Sequence, residues 1–154
     1  MAEARADQEL VFTRTFAAPR VRVWQAWTDP KQLALWWGPK GFTNPVCEFD
    51  ARPGGAIRID MRAPDGTVYP MTGTVRDIAP PALLVFTSEA LENGKPLFQV
   101  LTTVTLEEKS GQTVQTVRAR VLQVMADKAA EYLKGMREGW SQSLDRLADR
   151  IAAN

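Results

Sequence analysis

Histidine is absent from this chain of 154 residues. Its absence removes the commonest general base near neutral pH, the Ser-His and Cys-His nucleophile pairs, and most zinc sites. Cysteine occurs once, at Cys47, so no disulfide can form within the chain, which fits a reducing compartment. An excess of one charge is missing too: 19 Lys and Arg stand against 18 Asp and Glu, a net charge of +1. A nucleic-acid binder needs a basic surface to neutralise phosphates, and this balance does not supply one. No apolar run nears the roughly 20 residues of a membrane span. The longest, over 78–86, is broken by Pro80 and Pro81. The opening "MAEARADQEL" has no apolar stretch and does not read as a signal peptide. The expectation is a cytoplasmic protein with no membrane span and no nucleic-acid partner.

The remaining composition is that of an ordinary globular chain, 45% hydrophobic and 24% charged. Its length fits one domain, and a domain of this size buries roughly 68–70% of its unfolded surface. Residues 1–9 read as a flexible N-terminal tail and 10–154 as a single domain. "LVFTRTFAA" (10–18) is rich in β-branched and aromatic residues and reads as a strand. Pro19 then opens a helix carrying Val23, Trp24 and Trp27. Asp29-Pro30 restarts the chain: Asp29 as cap, Pro30 at the first helical position, Gln32 completing a capping box. This second, short helix carries Leu33, Leu35, Trp36 and Trp37 and ends at Gly38-Pro39.

From Phe42 to Val121 the period becomes that of strands. "AIRIDMR" (56–62) alternates, with Ile57, Ile59 and Met61 on one face and Arg58, Asp60 and Arg62 on the other. Phe98, Val100, Thr102, Val104 and Leu106 share a face, as do Gln115, Val117, Ala119 and Val121. Turn signals separate these runs at Pro53-Gly54-Gly55, Asp65-Gly66, Pro80-Pro81, Asn93-Gly94 and Ser110-Gly111, so six consecutive antiparallel strands are expected. After Ala126 the period is helical: Leu133, Met136, Trp140, Leu144, Leu147 and Ile151 form one stripe. Asp127 can cap this helix, expected to be long and continuous.

An antiparallel sheet with one apolar face must be covered, and the last helix has the matching stripe. The expected class is therefore α+β, a curved sheet wrapped around the C-terminal helix, with two short helices closing one end. Trp36, Trp37 and Phe42 stand where bulky rings would seal the mouth between sheet and helix. The last helix adds Tyr132, Met136 and Trp140. It also holds Gly135 and Gly139, each about 1 kcal/mol less favourable than Ala in a helix interior. Either they leave room for a ligand, or the backbone closely approaches the sheet there. Met61, Met71 and Met136 suit an apolar pocket that adapts its shape.

"APRVRVWQAWTDPKQLALWWGPKGF", "RPGGAIRIDM", "PDG", "PPALLVFT" and "GWSQSLDRLA" together resemble the START-like, or SRPBCC, superfamily. Within it they are similar to the branch named for the activator of the heat-shock-protein-90 ATPase. The resemblance covers about residues 10–150 and implies a helix-grip fold around a deep apolar cavity. It further implies ligands such as lipids, sterols and polyketides, and in some relatives cyclase or aromatase-like activity. No catalytic constellation carries over. Asp60 departs from the branch, which tends to be apolar there.

Three functions follow as expectations. The first is binding of a small hydrophobic or amphipathic molecule in the internal cavity. Its candidate contacts are Trp36, Trp37 and Phe42; Ile59, Met61, Met71, Phe86, Val100 and Gln115 on the sheet; and Tyr132, Met136 and Trp140. Gln115 is either a ligand contact or a partnered core amide. The second is a cyclase or dehydratase, which would need a carboxylate of raised pKa in the cavity: Glu48, Asp50, Asp60 or Glu89. With no histidine and no paired carboxylates, an enzyme is the lesser reading. The third is a co-chaperone-like module docking a chaperone ATPase through the charged face of Lys128, Lys134, Arg137, Glu138, Arg146 and Arg150. No cofactor and no metal are expected; a homodimer through the sheet is open.

Overall fold

The computed structural model describes residues 9–127 and 129–153. Most of the expected tail, residues 1–8, and Lys128 lie outside the described residues. Seven strands form one antiparallel sheet: β1 (Glu9–Phe16), β2 (Thr43–Phe49), β3 (Ala56–Arg62), β4 (Val68–Ala79), β5 (Leu83–Glu92), β6 (Lys95–Lys109) and β7 (Gln112–Val124). Their spatial order is β1-β7-β6-β5-β4-β3-β2. The helices are α1 (Arg20–Thr28), α2 (Pro30–Leu33), α3 (Ala129–Lys134) and α4 (Met136–Ala152). This is the expected α+β helix-grip arrangement, with two short helices after the first strand.

The turns obey local backbone chemistry. Asn93-Gly94 and Ser110-Gly111 both take positive φ at two successive residues, the mirror-image turn that matches the twist of a tight hairpin. Register shifts at Val75/Asp77, Ala90/Leu91 and Gln99/Val100 bend the long strands. Gly73 lets β4 and β5 approach closely, since a Cβ there would lie 2.1 Å from the Thr87 carbonyl oxygen. Asp29 caps α2 by accepting from the Lys31 amide at 3.0 Å. Gln32 reaches the Asp29 carboxylate at 3.2 Å, because the Asp29 amide already donates to the Gln25 carbonyl.

Two elements differ from expectation. The second helix closes at Leu33, so Leu35, Trp36 and Trp37 lie in the turn after it. The last helix is interrupted at Gly135, giving α3 and α4. Gly135 sits at φ −87° and ψ −1°, in the last-turn geometry that closes one helix before the next begins. The apolar stripe nevertheless runs across the break, with Leu133, Leu144, Leu147 and Ile151 buried. Burial of each such side chain contributes about 1.5–3 kcal/mol. Two apolar cores result. The larger gathers Trp27, Leu33, Trp36, Ile59, Val75, Leu84, Phe86, Leu144 and Leu147. The smaller, under α3, gathers Leu97, Val100, Ala119, Val121, Ala129 and Leu133. Trp140 packs against both.

Two arginines fasten α4. Arg14 on β1 pairs with Asp145 at 2.6 Å and donates to the Ser141 carbonyl at 3.3 Å. Arg146 donates to the carbonyls of Trp37, Gly38 and Pro39, each at 3.0 Å, and of Leu35 at 3.1 Å. Arg146 is therefore turned onto the turn after α2 and does not belong to an open charged face. Its guanidinium carries a lowered pKa because it is partly desolvated there. Removing it leaves four carbonyls without their charged donor. Arg146→Met is expected to lower unfolding free energy by about 2 kcal/mol, read from urea melts of the two proteins.

Candidate ligand cavity

Between the two cores lies a cavity of about 300 Å³. Its walls come from four places. The turn after α2 supplies Trp37, Gly38, Pro39 and Phe42; β3 and β4 supply Met61, Tyr69, Pro70 and Met71. Strands β5 and β6 supply Ser88, Ala90, Leu91, Phe98 and Val100, and α3–α4 supplies Tyr132, Gly135, Met136, Gly139, Trp140 and Ser143. Of the expected contacts, Trp37, Phe42, Met61, Met71, Val100, Tyr132, Met136 and Trp140 stand in this wall.

Trp36, Ile59, Phe86 and Gln115 stand elsewhere, each for a packing reason. Trp36 is fully buried, donates its indole N–H to the Ala26 carbonyl at 2.9 Å and packs edge-on to Trp27, with centroids 4.7 Å apart. Ile59 and Phe86 belong to the larger core; Phe86 meets Phe49 edge-on. Gln115 is fully buried, and its carbonyl accepts the Trp27 indole N–H at 2.8 Å. Its carbonyl is thus partnered inside the core, whereas its Nε2 has no hydrogen-bond partner among the described residues.

Eight of the aromatic side chains fall into two sets around the cavity. Trp27 and Trp36 form a packed floor, on which Trp37 and Trp140 rest as part of the wall, with their centroids 5.5 Å apart and their rings near perpendicular. Phe42, Tyr69, Tyr132 and Phe98 form a row of half-buried rings with successive centroids 6.1, 6.1 and 6.2 Å apart. The row holds both tyrosines of the chain. Trp140 is half-buried like this row, whereas Trp36 and Trp37, expected with Phe42 at the mouth, are buried. No motif pointed to Tyr69, Phe98, Ser88 or Ala90. Phe98 shares the alternation of Val100, while Ser88 and Ala90 are small and carry no hydrophobic-period signal.

Several side chains hold the rim. Gly38 takes φ +93°, a conformation strained for other residues, and a Cβ there would press on the Met61 sulfur at 3.1 Å. Asn44 donates to the carbonyls of Ala34 at 3.0 Å and Trp37 at 2.8 Å. The Lys40 amide donates to the Gln142 side chain at 3.0 Å. Of the two readings of the helix glycines, Gly135 and Gly139 exclude close approach of the backbone to the sheet. A Cβ at either position would meet nothing nearer than 3.9 Å, so they border open space and no strand presses on them.

The four carboxylates considered for catalysis lie off the wall. Glu48 and Asp50 are exposed, and Asp50 pairs with Arg52 at 2.8 Å. Asp60 sits beside Arg58 at 3.4 Å. Among the described residues the wall contains no carboxylate, lysine or arginine. Cys47 packs against the larger core, where burial first, and Glu48 second, push its thiol up to about 11. No group of acidic or cysteine side chains among the described residues could hold a metal. No helix among them is long and apolar enough to cross a membrane.

A curved antiparallel sheet gripping a C-terminal helix, with an apolar cavity between them, defines a helix-grip domain of the START-like class. The profile of the family described as "Activator of Hsp90 ATPase homolog 1-like protein" matches residues 17–152, and the chain belongs to that family. It is similar in structure to a protein from Chromobacterium violaceum, with 30% identity, 93% of this chain and 96% of that one covered, and a TM-score of 0.77. A protein from Mycobacterium smegmatis shares 28% identity over 95% and 91% of the two chains, with a TM-score of 0.78. The AHSA1 protein of Silicibacter pomeroyi, at 24% identity over 95% and 99% and a TM-score of 0.80, shares the fold. A search of curated proteins found no match.

Open space at Gly139 predicts a gain on adding one methyl group. Gly139→Ala is expected to stabilise the protein by up to about 1 kcal/mol, as for Gly to Ala in a helix interior. A fall in the urea midpoint would show that a neighbour already fills that space.

Proposed function

We propose that the protein binds a small hydrophobic or amphipathic molecule in the cavity between the sheet and α3–α4. One observation carries this reading: a 300 Å³ space with apolar and aromatic walls is kept open by two helix glycines that a larger residue would fill. That volume lies at the lower end of the range of small-molecule sites. Three wall methionines let the shape adapt. Membership of a family with this fold is consistent with the reading. The cytoplasm is the proposed compartment, in keeping with a single half-buried thiol.

A second reading is interaction with a chaperone ATPase, supported by the family's description alone. Its expected docking face is smaller than the helical pattern implied, since Arg146 is engaged by the turn after α2. Cyclase-type catalysis is the third, and no carboxylate among the described wall residues supports it.

Native mass spectrometry of freshly purified protein tests the first reading. A co-purifying molecule of a few hundred daltons is expected on the wild type. It should be absent from Gly139→Leu, whose isobutyl group would occupy the cavity. Equal retention by both proteins would place the molecule elsewhere and contradict the proposal.

A further inference from the structure

A second hollow, of about 270 Å³, lies between α1, α2 and the end of α4 and shares no lining residue with the cavity. Two guanidinium groups converge on it, Arg22 from α1 and Arg150 from α4, together with the side-chain amides of Gln25 and Gln32. Ala26, Leu35 and Trp36 complete its lining. We propose that this hollow is a binding site for a small phosphate monoester. Its phosphoryl group would lie between Arg22 and Arg150, and its apolar body against Leu35 and Ala26.

The local sequence builds the hollow. Arg22, Gln25 and Ala26 share one face of α1 by their spacing, and Ala26 brings only a methyl group where a longer side chain would fill the space. Behind them the Trp36 indole N–H is engaged by the Ala26 carbonyl at 2.9 Å, so the floor is apolar. Arg22 is half-buried and donates to the Gln32 side-chain carbonyl at 3.3 Å and to the Arg150 backbone carbonyl at 3.0 Å. Both acceptors are neutral, so they orient the guanidinium and leave its charge in place. The nearby carboxylate of Asp29 is held apart by the Gln32 amide, which donates to Asp29 at 3.2 Å and accepts from Arg22.

Charge and shape select the ligand class. A phosphate monoester carries about −1.5 to −2 charges near neutral pH, which matches two guanidinium groups, whereas a carboxylate carries one. Guanidinium forks fit phosphate oxygens, and the Gln25 amide adds a further donor. The last carbonyls of α4 oppose an anion by about half a charge, less than the two cations supply. Leu35, exposed at the rim, offers apolar contact to whatever the phosphoryl group is attached to.

Trp36 reports on this hollow, whereas Trp37 and Trp140 report on the cavity. Protein carrying 5-fluorotryptophan is titrated with phenyl phosphate and followed by fluorine NMR. A saturable shift of the Trp36 resonance is expected, with Trp37 and Trp140 moving less. Arg22→Gln and Arg150→Gln should each weaken binding about tenfold, through loss of one charge-assisted contact. Arg120→Gln, which removes an exposed arginine of β7, should leave binding unchanged. Inorganic phosphate should displace the probe, benzoate should bind more weakly, and benzyl alcohol should not move Trp36. Unshifted tryptophan resonances in the ligand-free variants would show that their fold is kept. The proposal is overturned by a Trp36 resonance that does not move, or by shifts confined to Trp37 and Trp140. Binding left unchanged by both arginine substitutions, or benzoate or benzyl alcohol acting as phenyl phosphate does, overturns it equally, and none of these outcomes bears on the cavity reading.

Discussion

The guanidinium of Arg146 joins the two parts of the molecule that enclose the cavity. Its donors reach the carbonyls of Leu35, Trp37, Gly38 and Pro39, the turn in which the chain leaves α2. A short helix followed by the turn Trp36-Trp37-Gly38-Pro39 leaves carbonyls without intrahelical partners. Asn44 and Arg146 supply those partners from β2 and α4. The turn is thereby fixed to the sheet on one side and to the helix on the other. Gly38 can then hold its positive φ, Trp37 can face Trp140, and Pro39 and Phe42 can form the rim. Arg14, paired with Asp145 one residue before Arg146, fastens the same stretch of α4 to the first strand.

Crowding of tryptophans around one loop has a division of labour behind it. Trp27 and Trp36 are buried, with their N–H groups satisfied by Gln115 and the Ala26 carbonyl, and they make the floor rigid. Trp37 and Trp140 rest on that floor and turn a face to the cavity. A buried indole needs a partner for its one donor, and the Gln115 carbonyl that accepts it accounts for a polar residue inside an otherwise apolar strand face. Above this floor the wall is softer, with three methionines, three glycines and a row of half-buried rings.

Much of this was legible in the residues. Period-2 alternation and the Asn93-Gly94 and Ser110-Gly111 pairs located the strands, and Asp29-Pro30 located the second helix. The stripe on the last helix brought Tyr132, Met136 and Trp140 to the cavity. The break at Gly135 was not legible, because a glycine disfavours a helix by only about 1 kcal/mol and the stripe continues beyond it. Arg146 read as a surface charge because spacing reports a helix face and not where a long side chain ends. Ser88 and Ala90 escaped notice for a physical reason: a cavity is made where bulk is missing, whereas periodicity detects bulk. Ile59 and Phe86 share the inward face of the sheet with the wall residues, but the larger core covers them.

The central claim is that the chain's tryptophans are split between a solid floor and an open wall. Fluorine NMR of protein carrying 5-fluorotryptophan at its five tryptophans measures this directly. On titration with N-phenyl-1-naphthylamine the largest shifts should fall on Trp37 and Trp140, with Trp24, Trp27 and Trp36 moving least. Largest shifts on Trp24, Trp27 or Trp36, or five unmoved resonances at saturating probe, would contradict the account.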